Sequence, residues 1–284
     1  MFPKNFTPQH QDTQPGLEAL MNPKPQSENP NYKPCNKLLN KVAIITGGDS
    51  GIGKAVAVAY AKEGADIVIV YLNEEVDAKE TEKIIKENGR NCLCISGDLG
   101  DENFCKKVIE DTINKYNHID ILVNNAAVQY PRNSITDITL EQLQLTFKTN
   151  IFSVFYLIKH AMPHLKKGSS IINTSSITAY EGHETLLDYS STKGAITSLT
   201  RSLALNLSKE GIRVNAVAPG PIWTPLIPSS FSADEVTKFG QNTPMGRPGQ
   251  PFELAPTYVF LASEDSSYIS GQVIHVNGGK ITES

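Results

Sequence analysis

The sequence predicts an α/β protein: one doubly wound parallel sheet of about seven strands, helices on both faces, and an extended N-terminal arm. Three observations predict it. A short run of β-branched residues at 42–46 breaks directly into glycine and then into a helix-forming stretch. Strand-like and helix-like segments alternate from there to the end of the chain, a pattern that calls for crossover connections and a parallel sheet. Before it, residues 1–38 carry Pro3, Pro8, Pro15, Pro23, Pro25, Pro30 and Pro34 among many Gln and Asn, a composition unable to bury enough surface to fold alone. The chain therefore divides into an arm, 1–38, and one domain, 39–284. The arm is either an unstructured tail or a strap anchored by Leu17, Leu20, Met21 and Tyr32.

In order, strands are expected near 42–46, 66–71, 91–96, 120–124, 169–174, 212–218 and 272–276, where Val, Ile and Leu concentrate between turn residues. Helices are expected near 51–63, 75–88, 101–116, 139–166, 189–209 and 252–263. In such a sheet, ligands sit beyond the carboxyl ends of the strands. The first turn shows how. Gly47 permits a tight bend, Gly51 puts no Cβ between backbone and a pyrophosphate, and Gly53 lets the following helix pack closely on the sheet. The helix N-terminus then offers unpaired N–H groups and the positive end of its dipole to a phosphate.

A second pattern concerns protons. Tyr189 and Lys193 are four residues apart, one helical turn, so an ammonium can lie beneath a phenol. A cation there favours the phenolate and is expected to bring the phenol toward usefulness near neutrality. Ser176 lies thirteen residues upstream of Tyr189.

Composition excludes other classes. Against 30 Asp and Glu stand 26 Lys and Arg, a formal charge of −4, which leaves no electrostatic footprint for nucleic acid or an anionic membrane. No apolar run approaches a membrane span and no secretory leader opens the chain, so a cytoplasmic protein is expected. Cys35, Cys92, Cys94 and Cys105 read as small buried side chains. His160 and His164 have the spacing of a zinc pair, but Pro163 disturbs the turn and no third ligand is evident, so no metal is expected.

Thr46-Gly47 through Gly51-Ile52-Gly53, then Asn124-Asn125-Ala126, Ser176, Tyr189 to Lys193 and Pro219-Gly220, stand in the order and at the separations of the short-chain dehydrogenase/reductase family. The chain resembles that family over about residues 40 to 280, and within it a bacterial subgroup of general stress proteins with a proline-rich extension. The resemblance implies a Rossmann-type sheet, a homotetramer, and hydride transfer between a nicotinamide dinucleotide and a small carbonyl or alcohol substrate: an aldehyde, ketone or polyol. It implies that Tyr189 is general acid and base, that Ser176 holds the reacting oxygen, that Lys193 also holds the nicotinamide ribose, and that Asn150 holds a water refilling the proton relay.

For the dinucleotide the resemblance implies contacts at Thr46, Gly47, Asp49, Ser50, Gly51, Ile52 and Gly53 in the glycine turn, and at Tyr71, Leu72 and Asn73 after the second strand. It adds Asp98 and Leu99 at the adenine, Asn125, Ala126 and Ala127 after the fourth strand, and Pro219, Gly220, Ile222 and Thr224 after the sixth. Ala127 stands where the family usually has glycine. NAD is expected over NADP, because no cation stands at Ser50 or at 71–73 to meet a 2′-phosphate, while Glu74 or Glu75 would repel one. The acid usual at the end of the second strand is replaced by Tyr71. Substrate walls are expected at 129–133, 181–187 and the proline- and glycine-broken 223–248. A non-catalytic dinucleotide-binding sensor is the alternative.

Overall fold

A computed structural model describes residues 2–282. Its seven strands, β1 (Val42–Thr46), β2 (Asp66–Tyr71), β3 (Cys92–Ser96), β4 (Ile121–Asn124), β5 (Ser170–Thr174), β6 (Arg213–Pro219) and β7 (Val273–Val276), form one parallel sheet in the order β3-β2-β1-β4-β5-β6-β7. Register is continuous: Ile44 of β1 lies between Val68 of β2 and Leu122 of β4. The order reverses between β1 and β4, which opens a crevice at their carboxyl ends.

Both sheet faces are covered, which is why the strands are apolar throughout. Ala43 and Ile45 pack beneath α1 (Gly51–Lys62) and α9 (Ala255–Ala262), with Tyr60 and Tyr258 fully buried there. Ile44 points the other way, into a second cluster with α3 (Glu102–Tyr116), α5 (Ser153–Ala161) and α7 (Leu187–Leu207). The shorter helices are α2 (Glu75–Glu87), α4 (Leu140–Phe147), α6 (Thr178–Glu181) and α8 (Ala233–Thr237).

The continuous helix expected at 139–166 is broken. Between α4 and α5 the backbone widens into a π-helical turn, Lys148–Phe152, and Met162–His164 ends the run as a 3-10 turn at Pro163. Asn150 lies in the wide turn. The Ser153 hydroxyl donates to the Thr149 carbonyl at 2.6 Å, one of the bonds that holds it. The helix expected at 252–263 is likewise a 3-10 turn, Pro251–Glu253, followed by α9. Cys92 and Cys94 are half-buried on β3 rather than fully enclosed, because β3 is the edge strand.

Residues 2–38 hold one short 3-10 turn, Glu18–Leu20, and run across the domain surface in contact with it. The Phe6 ring stacks on the indole of Trp223 at 3.8 Å between centroids, and the Trp223 Nε1–H donates to the Pro23 carbonyl at 2.8 Å. Met21 is buried in the same cluster and the Tyr32 hydroxyl donates to Glu63, whereas Leu20 is exposed and anchors nothing.

Candidate active site

The crevice is a cleft of about 890 Å³ running over the carboxyl ends of the sheet. Its floor at one end is the glycine turn. Gly51 has φ +51°, and a Cβ there would sit 3.0 Å from the Thr224 methyl carbon. A Cβ on Gly53 would lie 1.8 Å from the Gly47 carbonyl oxygen, so the turn closes only on hydrogen. Among the described residues no side chain reaches the N–H of Ile52 or Gly53, and the α1 dipole points outward there. This is a cradle shaped for a pyrophosphate, and the residues fit the group.

Of the residues expected to meet the dinucleotide, Gly47, Asp49, Ser50, Gly51, Ile52, Tyr71, Leu72, Asp98, Leu99, Asn125, Ala126, Ala127, Pro219, Gly220, Ile222 and Thr224 line the cleft. Thr46 and Gly53 lie behind its wall. The Thr46 hydroxyl accepts from the N–H groups of Asn125 and Ala126 at 2.9 and 3.0 Å, fastening β4 to the glycine turn. The Asn125 amide donates to the Thr46 carbonyl at 3.1 Å and reinforces the same joint. Asn73 does not reach the cleft. Its place is taken by Glu74: Oε2 accepts from the N–H groups of Leu72 and Asn73 at 3.1 and 2.9 Å, while Oε1 is buried with no partner. Glu75 is engaged instead by the Tyr71 hydroxyl at 2.7 Å. Burial, with the Glu74 charge beside it, raises the Asp49 carboxyl to about 7.

The reacting end is built by β5, α6 and α7. Ser176, Tyr189 and Lys193 are all buried in the cleft wall. The Ser176 hydroxyl accepts from the N–H and hydroxyl of Thr178 at 3.1 and 3.0 Å, which fixes its orientation. Asp188 Oδ1 accepts the Tyr189 N–H at 2.9 Å, and Asp188 Oδ2 accepts from Gln142 and Thr146 of α4, pinning the start of α7. Lys193 Nζ donates to the Thr174 carbonyl at 2.7 Å and stands 5.5 Å from the centre of the Tyr189 ring.

One expectation is corrected here. Lys193 does not draw the phenol toward neutrality: burial pushes Tyr189 up to about 12, against a Ser176 hydrogen bond pulling down, and the same dry surroundings push Lys193 down to about 7. Loss of water disfavours the charged form of each, and the Lys193 amine donates to the Thr174 carbonyl. The Asn150 side chain is engaged by its neighbours. It accepts from the Val128 N–H and donates to the Val128 carbonyl, both at 2.9 Å, and reaches Thr192 at 3.2 Å. It ties the segment after β4 to α7.

A lysine whose folded pKa lies below its free value binds fewer protons folded than unfolded between about 7 and 10.5, so its burial costs most at low pH and the cost fades as pH rises. Urea melts of the parent should therefore gain on the order of 2 kcal/mol in stability from this group between pH 6 and pH 9. Lys193→Met should flatten that gain; an unchanged pH slope in the variant would contradict a proton-poor Lys193.

A phosphate cradle and a buried phenol, hydroxyl and amine facing one cleft define a class: α/β oxidoreductases that work with a dinucleotide. Comparison with known proteins narrows it. The family model described as enoyl-(acyl carrier protein) reductase matches residues 47–280. General stress protein 39 of Bacillus subtilis (strain 168) is 59% identical over 278 residues, covering 98% of this chain and 97% of that protein. Glucose and ribitol dehydrogenase of Daucus carota is 52% identical, covering 97% of each. A short-chain dehydrogenase from Burkholderia cenocepacia J2315, solved in complex with NADP, superposes with a TM-score of 0.81 at 28% identity over 86% of this chain and 99% of that one. The chain belongs to the short-chain dehydrogenase/reductase family. It is a nicotinamide-dinucleotide-dependent oxidoreductase.

Among the described residues no three His, Cys, Asp or Glu side chains gather into a metal site, and no helix is long and apolar enough to cross a membrane.

Proposed function

We propose that this enzyme interconverts a small polyol or sugar-derived alcohol and its carbonyl, with NAD preferred over NADP. The observation that carries the reading is the convergence of Ser176, Tyr189 and Lys193 on the cleft that begins at the glycine turn. The dinucleotide, when bound, supplies or accepts the hydride. Tyr189 gives its proton to the carbonyl oxygen as negative charge grows there, and Ser176, already oriented by Thr178, donates to the same oxygen. Lys193, anchored on Thr174, directs its remaining N–H groups at the nicotinamide ribose and, with a pKa of about 7, passes a proton readily in either direction. Oxidation reverses these steps.

The substrate end of the cleft is walled by Gln129, Glu181, His183, Glu184, Phe231 and Gln241. Apolar groups, Leu186, Phe231 and Phe239 among them, stand beside these hydrogen-bonding ones, and the choice of a hydroxylated substrate rests on the polar groups together with the polyol and sugar named for the Daucus carota relative. The NAD preference is supported by Glu74, a cleft-lining carboxylate that would repel a 2′-phosphate.

Other parts of the reading have their own support. Leu143, Phe152, Phe155 and Leu205 are exposed on or beside α4, α5 and α7, the faces that a homotetramer would bury. Four free thiols suit the reducing cytoplasm. We treat 1–38 as an arm of one catalytic domain, 39–284. A panel of polyols, aldoses and aldehydes read by NADH and NADPH absorbance tests the whole proposal. Turnover of hydroxylated substrates with NAD is expected; turnover confined to apolar ketones, or none, would defeat it.

A further inference from the structure

The arm brings one carboxylate to an unexpected place. Glu18, thirty-three residues before the glycine turn, is buried against the first turn of α1: its Oε2 accepts the Gly51 N–H at 2.8 Å and its Oε1 accepts Lys54 Nζ at 2.9 Å. The arm is latched there by α2, since the N–H groups of Glu18 and Ala19 donate to the two carboxylate oxygens of Asp77 at 2.6 and 2.9 Å. Lys54 also meets Glu80 at 3.3 Å. Both Glu18 oxygens face only donors, an arrangement that suits the carboxylate, while burial, against the pull of Lys54, raises its pKa from the ordinary value. Glu18 does not line the cleft; Gly51, whose N–H it holds, does.

A buried negative charge therefore sits behind the helix terminus that serves the dinucleotide phosphates. It occupies the first orphan N–H of α1 and opposes the positive end of the α1 dipole, while Lys54 one turn along offsets it. On the adjoining β2 side, Glu74 and Asp49 already present carboxyl groups to the cleft. The field a bound dinucleotide meets is set by the balance of these charges, and the dinucleotide carrying an extra phosphate feels any change in that balance more strongly.

We propose that Glu18 is a specificity-determining residue: carried by the arm to the back of the glycine turn, its carboxylate weakens the anion-attracting field of the α1 N-terminus and so disfavours NADP relative to NAD. The inference rests on the nicotinamide-dinucleotide reading above and deepens it. It also gives the arm a purpose beyond packing, since no residue of the catalytic domain fills that position.

The test is fluorescence titration of the full-length protein with NADH and NADPH, independent of any substrate, on Glu18→Gln, Lys54→Met and the double variant, with thermal melts to show that each is folded. Glu18→Gln keeps an acceptor for the Gly51 N–H while removing the charge. It should tighten NADPH more than NADH, moving the ratio of dissociation constants about five-fold toward NADPH. Lys54→Met should move the ratio the other way, and the double variant should return it toward the parent value. Equal changes for both coenzymes, or a ratio unmoved in every folded variant, would overturn the proposal and leave Glu18 a packing residue. Should Glu18→Gln not fold, Lys54→Met decides by its own direction. A parent protein that binds neither coenzyme would instead defeat the dinucleotide reading itself.

Discussion

Tyr189→Phe is expected to lower kcat/KM by about 10³, close to 4 kcal/mol of transition-state stabilisation, while NADH binding stays within about three-fold of the parent. The phenol is the one acid of the reacting end that faces the cleft with a proton to give at every ordinary pH, because burial holds it near 12. Ser176 remains in the variant and continues to donate to the carbonyl oxygen, but a hydroxyl held by Thr178 has no base behind it to renew a transferred proton. Lys193 does not substitute, since it relays protons through the phenol, with its Nζ 5.5 Å from the centre of the Tyr189 ring, rather than to the carbonyl oxygen itself. The phenyl ring fills the same volume, so folding is preserved. Initial rates and a nicotinamide fluorescence titration on the same preparation check both halves. A fall in kcat/KM smaller than ten-fold would remove Tyr189 from the chemistry. A sign follows for pH. Oxidation, which needs the phenolate, should climb with pH through the alkaline range, whereas reduction should keep its acid until far higher pH.

Gly53→Ala should be nearly as damaging, through the fold. The added methyl would lie 1.8 Å from the Gly47 carbonyl oxygen and 2.9 Å from the Asn125 amide nitrogen. One is backbone in a left-handed turn and the other is a side chain already bonded to the Thr46 carbonyl, so neither can retreat cheaply. A loss of about 3 kcal/mol in stability is expected, with dinucleotide binding lost because the cradle opens. Gly194→Ala on α7 is the control: nothing lies within 4 Å of the new methyl, and a helix interior favours alanine by about 1 kcal/mol. Denaturant melts of the pair should move in opposite directions. A Gly53→Ala protein as stable as the parent would mean that the turn is looser than its contacts imply.

Much of the site could be read from local signals. Strand, glycine turn and helix at 42–62 declared a phosphate cradle because each step there is a short-range conformational demand, and Tyr189 and Lys193 share a helix face by period alone. What could not be read there lies where distant segments meet. Asn150 offered no sign that its amide would be consumed by Val128, twenty-two residues away, nor that the helix would widen around it. Glu74 was visible as an acid, but its turn back onto the Leu72 and Asn73 amides, which excludes Asn73 from the cleft, depends on how α2 leaves β2. Glu18, and Phe6 that stacks on Trp223, had no signal at all in a proline-rich segment.

Topology, the phosphate cradle and the candidate reacting side chains were legible in the chain itself, since periodicity, glycine placement and helical spacing are properties of neighbouring residues. The electrostatics came with folding: which carboxylates are buried, which retain a free oxygen, and that Tyr189 and Lys193 are each driven toward neutrality. Those outcomes depend on loss of water and on partners far along the chain, and a charge carries no mark in the sequence of the dielectric it will be folded into.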